Sequence, residues 1–239
     1  MPAVPVLPAF YFGSAEHYRL LARCPKAIID TGEHYERQSY RNRTTIMGPN
    51  GTNDLVVQIA RRSDALAGLQ RPKGEKMPMR TVGLSYEETW PQQHLHAIRS
   101  AYGQTPWFIH YVDEIEDVVQ QKYERLVDLD LATMRLGMKW LGLKTELMVS
   151  EEYVVPSALC DVLCGPETAS GRTGHKTSDS STTIDLRTSF HPKKPLPIEV
   201  TPVPPYAQVF ADRHGFVPRL SIIDLVCNCG PEASRIIRG

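Results

Sequence analysis

The residues best able to do chemistry lie close together between positions 34 and 43. Seven of these ten residues supply an imidazole, two guanidinium groups, two amides and two phenols; they are His34, Tyr35, Gln38, Tyr40, Arg41, Asn42 and Arg43. Arginine binds phosphate or carboxylate through paired hydrogen bonds, and histidine transfers protons near neutral pH. The stretch therefore indicates a site for an anionic small molecule. The alternative is a solvated hairpin with a basic edge.

Arg41 and Arg43 are the candidate anion-binding pair. In an extended segment both side chains point to one face, while Asn42 points to the other. Two guanidinium groups on one face suit a diphosphate, such as that of a nucleotide-sugar, and Asn42 is then free to bond the backbone or a neighbouring turn. The alternative is a surface pair whose charge is neutralised by Glu33 and Glu36.

His34 and His94 are the candidates for proton transfer. His94 lies at the start of a predicted short helix. The same face of that helix carries Ile98, Ala101 and Tyr102. We therefore expect His94 to point inward or toward the rim of a cleft. A lone histidine on an apolar face is more often a core residue than a catalyst, so a catalytic role for at least one of the two is a hypothesis.

A second polar segment, DLRTSFHPKK, begins at Asp185 and includes Arg187. Because prolines follow it closely, we expect an extended conformation that could cross a cleft as a strap. The alternative is a solvated connector. Tyr206 and Gln208 follow nearby in the chain and could line the same cleft.

Charge and composition limit the class of partner. The chain has 27 basic and 27 acidic residues, so its net charge is zero, which disfavours extended DNA or RNA binding. A local contact with tRNA is still compatible with a neutral total. The five cysteines are an odd number, which argues against a disulfide scaffold and favours a reducing compartment.

No apolar run is long enough to span a bilayer, and the first residues lack a basic leader, so the prediction is a cytoplasmic protein. The chain contains no dinucleotide-binding, P-loop or nucleophile-elbow motif, and no cofactor is predicted. The cysteine pairs are spaced poorly for zinc, and no metal site is predicted.

The order of predicted elements indicates an α/β fold. A strand at 4–12, a helix at 15–22 and a strand at 26–30 open a parallel sheet. Ligands collect at the carboxyl ends of parallel strands, where Asp30 and the residues after it would lie. Further strands are predicted at 55–59 and 144–149, and further helices at 93–102, 107–126 and 129–141, with a last helix after Ser221.

The prediction is thus a mainly parallel sheet flanked by helices, with an irregular Pro-rich C-terminal segment. Residues 165–183 contain no large apolar side chain, so we expect a mobile loop there. Residues 1–239 are predicted to form a single domain.

Six segments in fixed order carry a family resemblance. They read PAFYFGSAEHYRLL, EHYERQSYRNRTTIMGPNG, WPQQHLHAIRSAYGQTPWFIHY, QKYERLVDLDL followed by LGLKTEL, DLRTSFHPKKP, and YAQVFADRHGFVPRLSIIDLVCNCGPEA. In their order and spacing the chain resembles the WbqC-like protein family. It departs from the family pattern in LVVQIA, where a valine-proline pair is usual, and at Cys227 and Cys229, where large apolar residues are usual.

The resemblance implies a cytoplasmic biosynthetic enzyme encoded with sugar-modifying and polysaccharide-assembly genes. The favoured hypothesis is an acyl or aminoacyl transferase acting on a nucleotide-activated amino sugar or a related small molecule. Arg41 and Arg43 would hold the phosphates, and His34 or His94 would remove the acceptor proton. The residues expected to bind or orient substrate beside them are Tyr35, Gln38, Asn42, Tyr102, Asp185, Arg187, Tyr206 and Gln208.

Two alternatives belong to other classes of protein. One is a tRNA- or thioester-dependent acyltransferase in specialised-metabolite biosynthesis. The other is a non-catalytic binding module that assembles a biosynthetic complex.

Overall fold

A computed structural model describes residues 4–60, 76–155 and 183–239. These residues form the strands β1 (Val4–Leu7), β2 (Lys26–Asp30), β3 (Arg43–Gly48), β4 (Gly51–Val56), β5 (Glu146–Ser150) and β6 (Thr183–Asp185). Four of them form a parallel sheet in the order β5-β2-β1-β6. The predicted α/β class with a mainly parallel sheet is confirmed.

Helices flank this sheet. They are α1 (Ala15–Ala22), α2 (Trp90–Tyr102), α3 (Val112–Gln120), α4 (Leu126–Leu141), α5 (Ala211–His214), α6 (Ile222–Cys229) and α7 (Glu232–Arg238). The predicted helix at 107–126 is shorter, because a 3₁₀ turn occupies Phe108–His110 and the chain is extended at Gln121. Helix α4 begins before Asp128, whose carboxylate lies in the first turn and pairs with Arg125.

Strand β1 ends earlier than the predicted strand at 4–12. Its last residues pair with β2, and the side chains of Val6 and Leu7 are fully buried. Beyond Leu7 the backbone turns to other partners: the N–H of Tyr11 donates to the carbonyl of Tyr40, and that of Phe12 donates to Oγ1 of Thr133. Tertiary hydrogen bonds therefore replace the strand ladder after position 7.

The register of the sheet brings the carboxyl ends of its strands together. Asp30, the last residue of β2, pairs with Ser150, the last residue of β5. On the other side of the sheet, Asp185 at the end of β6 pairs with Val6. The loops that follow β2, β5 and β6 therefore start at one edge, which is where parallel sheets bind ligands.

Residues 43–56 form an antiparallel hairpin. Strands β3 and β4 pair from Arg43 with Val56 to Gly48 with Gly51, so Pro49 and Asn50 form the tip. The predicted strand at 55–59 overlaps only the end of this hairpin. Tyr102 at the end of α2 holds the hairpin in place, because its hydroxyl accepts a hydrogen bond of 3.0 Å from the N–H of Met47.

Between β6 and α5 the chain has little regular structure. No helix or strand occurs in residues 186–210, which include the Pro-rich stretch. The loop predicted at 165–183 lies outside the described residues except for position 183, where β6 begins. No helix in the described part of the chain is both long and apolar enough to cross a membrane.

Gly137 allows α4 to pack closely against α1. A β-carbon at this position would lie 2.4 Å from the hydroxyl oxygen of Tyr18 and 2.5 Å from its Cζ atom. Tyr18 is fully buried, and its hydroxyl donates to the carbonyl of Thr133 in α4. The ring therefore has no free space into which it can retreat.

We predict that Gly137→Ala destabilises the protein, although alanine normally stabilises a helix interior by about 1 kcal/mol relative to glycine. The new methyl group would overpack Tyr18 by more than this gain, and we expect a net loss of about 1–3 kcal/mol in the free energy of unfolding, measured with urea. Gly83→Ala is the control, because its nearest neighbour would be the β-carbon of Ala60 at an ordinary 3.5 Å. Equal stability of Gly137→Ala and the wild type would contradict the packing described.

Candidate functional site

The carboxylate of Asp30 joins the ends of three strands. Its Oδ1 atom accepts hydrogen bonds from the N–H groups of Gly32 at 2.9 Å and Glu33 at 3.0 Å. Its Oδ2 atom accepts from the N–H of Val154 at 3.1 Å and pairs with the guanidinium of Arg187. Asp30 is fully buried, so these contacts replace all of its hydration.

Arg187 completes this arrangement from the loop after β6. Its Nε and Nη2 atoms donate to the two carboxylate oxygens of Asp185, at 2.9 and 2.6 Å, and Nη1 donates to the carbonyl of Val154 at 2.9 Å. Burial works against the charged form, but the hydrogen bonds that Arg187 donates to Asp185 and Asp30 outweigh it and raise the pKa of Arg187. The same bonds lower the pKa of Asp185.

Arg41 is a second buried guanidinium beside the first. Its Nε and Nη2 atoms donate to both oxygens of Glu33, at 2.7 and 2.6 Å, and Nη2 also donates to the carbonyl of Arg187 at 3.1 Å. Glu36 lies 3.5 Å from Nη1. Burial raises the pKa of Glu33, and the bond from Arg41 opposes that rise. Arg41 thus links the loop after β2 to the loop after β6.

A cleft of about 510 Å³ opens over these ion pairs. This volume lies within the range typical of small-molecule sites. The loops after β2, β5 and β6 supply most of its wall. The lining residues are Glu33, His34, Tyr35, Glu36, Arg37, Arg41, Lys76, Tyr153, Asp185, Arg187 and Thr188.

Beside Arg41 and Arg187, the cleft has three nitrogen-bearing side chains, and none of them forms a hydrogen bond or ion pair with the part of the chain that the structure describes. They are His34, Arg37 and Lys76, and all three residues are exposed. The imidazole of His34 stacks on the ring of Tyr153, with centroids 6.4 Å apart, so both of its nitrogens are left for other partners. A free imidazole beside two free cations can bind an anion and move a proton.

Tyr35 lies at the inner side of the same cleft. Burial raises the pKa of its phenol to about 12, so it is a neutral hydrogen-bond donor over the physiological range. No group of three or more His, Cys, Asp or Glu residues that could hold a metal ion occurs in residues 4–60, 76–155 and 183–239.

The structure brings five of the predicted site residues into this cleft, namely His34, Tyr35, Arg41, Asp185 and Arg187. Gln38 lies beside it, where its Oε1 atom accepts a hydrogen bond from Lys193. Sequence reasoning did not identify Arg37, Lys76 or Tyr153 as site residues. Arg37 lies within the polar stretch at 34–43, whereas no local pattern marks Lys76 or Tyr153.

The predicted clamp of Arg41 and Arg43 is not formed. Arg41 lies in a turn and Asn42 in a bend, and β3 begins only at Arg43, so the alternation of an extended segment does not apply. Arg43 pairs with Asp54 at 3.0 Å, and Asn42 donates to the carbonyl of Val57 at 3.3 Å. Neither Asn42 nor Arg43 lines the cleft.

His94 does not share a pocket with His34, so of the two candidate histidines only His34 lines the cleft. Only 4% of the residue is exposed, and it is not among the residues that line the cleft. Its Nε2 atom donates to the carbonyl of Val56 at 3.2 Å, and its Nδ1 atom accepts from the hydroxyl of Tyr11 at 3.1 Å. Burial lowers the pKa of His94 to about 4. This is the geometry of a core histidine.

The remaining predicted residues meet around a buried carboxylate that sequence reasoning missed. Tyr206 donates to Oδ2 of Asp224 at 2.7 Å, and Gln208 donates to the same atom at 3.3 Å. Tyr102 also hydrogen-bonds Asp224. Burial raises the pKa of Asp224 to about 6. None of these residues lines the cleft, so the cluster joins α2, the Pro-rich segment and α6 inside the protein.

A comparison with protein families matches the WbqC-like protein family over residues 9–236. The chain belongs to the WbqC-like protein family. The matched range includes every residue that lines the cleft, so the cleft is built by the family domain itself. Searches of curated proteins and of solved structures found no match.

The lowered pKa of His94 predicts a distinct pH dependence of the free energy of unfolding. Its folded pKa of about 4 lies below the unfolded value of about 6.5, so the unfolded chain binds more protons between these values. Stability is therefore lost as the pH falls from 6.5 to 4, by up to about 3 kcal/mol. His94→Gln keeps a donor for Val56 and an acceptor for Tyr11, and we expect it to reduce this loss in urea unfolding.

His96→Gln is the matched control, since His96 is exposed on the same helix. We expect this variant to keep the wild-type pH dependence. If His94→Gln also keeps it, the buried neutral histidine described above is wrong.

Proposed function

We propose that the cleft is the active site of an acyl or aminoacyl transferase that acts on a nucleotide-activated amino sugar or a related small molecule. The observation that carries the proposal is the position of His34 beside Arg37 and Lys76, in a cleft at the carboxyl ends of parallel strands. Membership of the family supports it through the biosynthetic role that the resemblance implies.

Arg37 and Lys76 are proposed to bind the phosphates. A phosphate site needs cations whose donors are free, and the donors of Arg41 already face Glu33, Glu36 and the carbonyl of Arg187. Arg37 and Lys76 are the cleft cations without an ion pair in the described residues. In this proposal Arg41 positions the loop that carries His34 and Arg37, and it does not bind substrate.

His34 is proposed to be the general base and then the general acid. Its imidazole takes a proton from the amino group as that nitrogen attacks the carbonyl carbon of an acyl thioester or aminoacyl ester. The new C–N bond forms, the C–S or C–O bond breaks, and the imidazolium returns the proton to the leaving sulfur or oxygen. Holding both substrates in one cleft supplies much of the remaining acceleration.

We also propose a cytoplasmic location. The odd cysteine count supports it, together with Cys227 and Cys229, which form no disulfide.

The test is a thermal-shift panel of nucleotide-linked amino sugars, acyl-CoA and charged tRNA. We expect a nucleotide-linked amino sugar at 100 times its Kd to raise Tm by about 5 °C or more, because it binds only the folded protein. The double variant Arg37→Ala/Lys76→Ala should abolish this shift. Arg213→Ala/Lys122→Ala, which removes two exposed cations that no ion pair engages in the described residues, should retain it.

The other outcomes separate the alternatives. A response to tRNA or acyl-CoA alone would instead support the alternative of a tRNA- or thioester-dependent acyltransferase in specialised-metabolite biosynthesis. No response to any ligand would favour a binding module without catalysis. A shift that survives in Arg37→Ala/Lys76→Ala would place the ligand outside the cleft.

A further inference from the structure

Three polar atoms near the start of α1 have no hydrogen-bond partner within the described residues. They are Oε2 of Glu16, Nε2 of His17 and Nε of Arg219, and all three are closed to solvent. Glu16 is 1% exposed and His17 is fully buried. An unsatisfied buried polar group costs free energy, and native proteins contain few of them. Three in one place mark a polar group whose donors and acceptor are available to a ligand.

These atoms belong to one cluster at the carboxyl end of β1. The N–H of Arg219 donates to Oε1 of Glu16 at 3.2 Å, which holds the two residues together. The guanidinium of Arg219 lies 5.8 Å from the centre of the Tyr40 ring, and that ring lies 4.8 Å from the imidazole of His17. The cluster is therefore a polar group enclosed by aromatic rings.

Residues 188–194, the later part of the strap predicted at 185–194, cover this cluster; they are called the strap from here on. The ring of Phe190 stacks on His17 with centroids 3.7 Å apart. Arg219 donates to the carbonyls of His191 at 2.6 Å and Lys194 at 2.7 Å. Backbone-to-backbone hydrogen bonds of the strap are local, from Phe190 to residue 186 and from Lys194 to His191. Side chains hold the strap down, so it can lift without breaking a strand ladder.

The proton positions define what the cluster can bind. The N–H of Ser14 donates to Nδ1 of His17 at 3.1 Å, so Nδ1 carries the lone pair and Nε2 carries the hydrogen. Burial lowers the pKa of His17, which keeps the ring neutral. The cluster therefore offers two N–H donors, from His17 and Arg219, beside one carboxylate acceptor, from Glu16.

We propose that this cluster is a second ligand site that binds an α-amino acid beneath the strap. His17 and Arg219 bind the carboxylate of the ligand, and Glu16 binds its ammonium group. Burial raises the pKa of Glu16, and the N–H and the charge of Arg219 oppose that rise. With Glu16 ionised, its charge and that of Arg219 cancel, so a zwitterion leaves no charge unpaired, whereas a simple carboxylic acid or amine would leave one. This site does not depend on the function proposed for the cleft.

The test compares L-alanine, propionate and ethylamine, each at 20 mM, by thermal shift on the full chain. L-alanine contains both charged groups, and the other two compounds contain one each. We expect L-alanine to raise Tm by about 2 °C or more and the other two to have no effect. Amide exchange in residues 188–194 should slow when L-alanine is present, because the strap closes on the ligand.

Glu16→Gln should abolish the shift without unfolding the protein, because the new amide keeps an oxygen acceptor for Arg219. Glu232→Gln, a change at an exposed glutamate of α7, should retain it. His17→Gln preserves the helix cap, since glutamine is a usual capping-box residue, and should also abolish the shift.

An equal shift with propionate, or a full response in Glu16→Gln, would overturn the proposal. The absence of a shift with L-alanine and with the other common amino acids would overturn it as well.

Discussion

The ion pair of Asp30 and Arg187 is the interaction on which the cleft depends. Taking both charges out of water is costly, and their attraction compensates only if the remaining donors and acceptors are satisfied. Here backbone N–H groups, the carbonyl of Val154 and the carboxylate of Asp185 satisfy them. Because these partners come from the ends of β2, β5 and β6, the pair fixes three loops in one arrangement.

The same arrangement decides which cations are available to a ligand. Asp30 and Asp185 use the guanidinium of Arg187, and Glu33 uses that of Arg41, so both arginines form the floor of the cleft. Arg37 and Lys76 are left exposed above this floor. Under the proposed function the buried cations position the loops and the exposed ones bind the ligand, a division that residue type alone does not predict.

Local patterns predicted the opening of the fold and the place of the cleft, since β1, α1, β2 and the polar residues after Asp30 are adjacent in sequence. The partners of these residues could not be predicted in the same way. Arg41 bonds to Arg187, 146 positions away, and Lys76 and Tyr153 reach the cleft from segments without a distinctive pattern. The sequence alone could not place His94, because its helix face fits both the core and the rim of a cleft. Only its contacts with Tyr11 and Val56 identify it as a core residue.

A double-mutant cycle of Asp30→Asn and Arg187→Met, followed by urea unfolding, tests the central claim most directly. Arg187→Met leaves the buried carboxylate of Asp30 without a cation, and Asp30→Asn removes one of the two carboxylates that pair with Arg187, so each single change should cost about 3–5 kcal/mol. The double variant should cost about 1–2 kcal/mol more than either single one, which gives a coupling energy of about 2–3 kcal/mol. The exposed pair Arg125 and Asp128 is the control, with an expected coupling below about 1 kcal/mol. Additive effects at Asp30 and Arg187 would contradict the account.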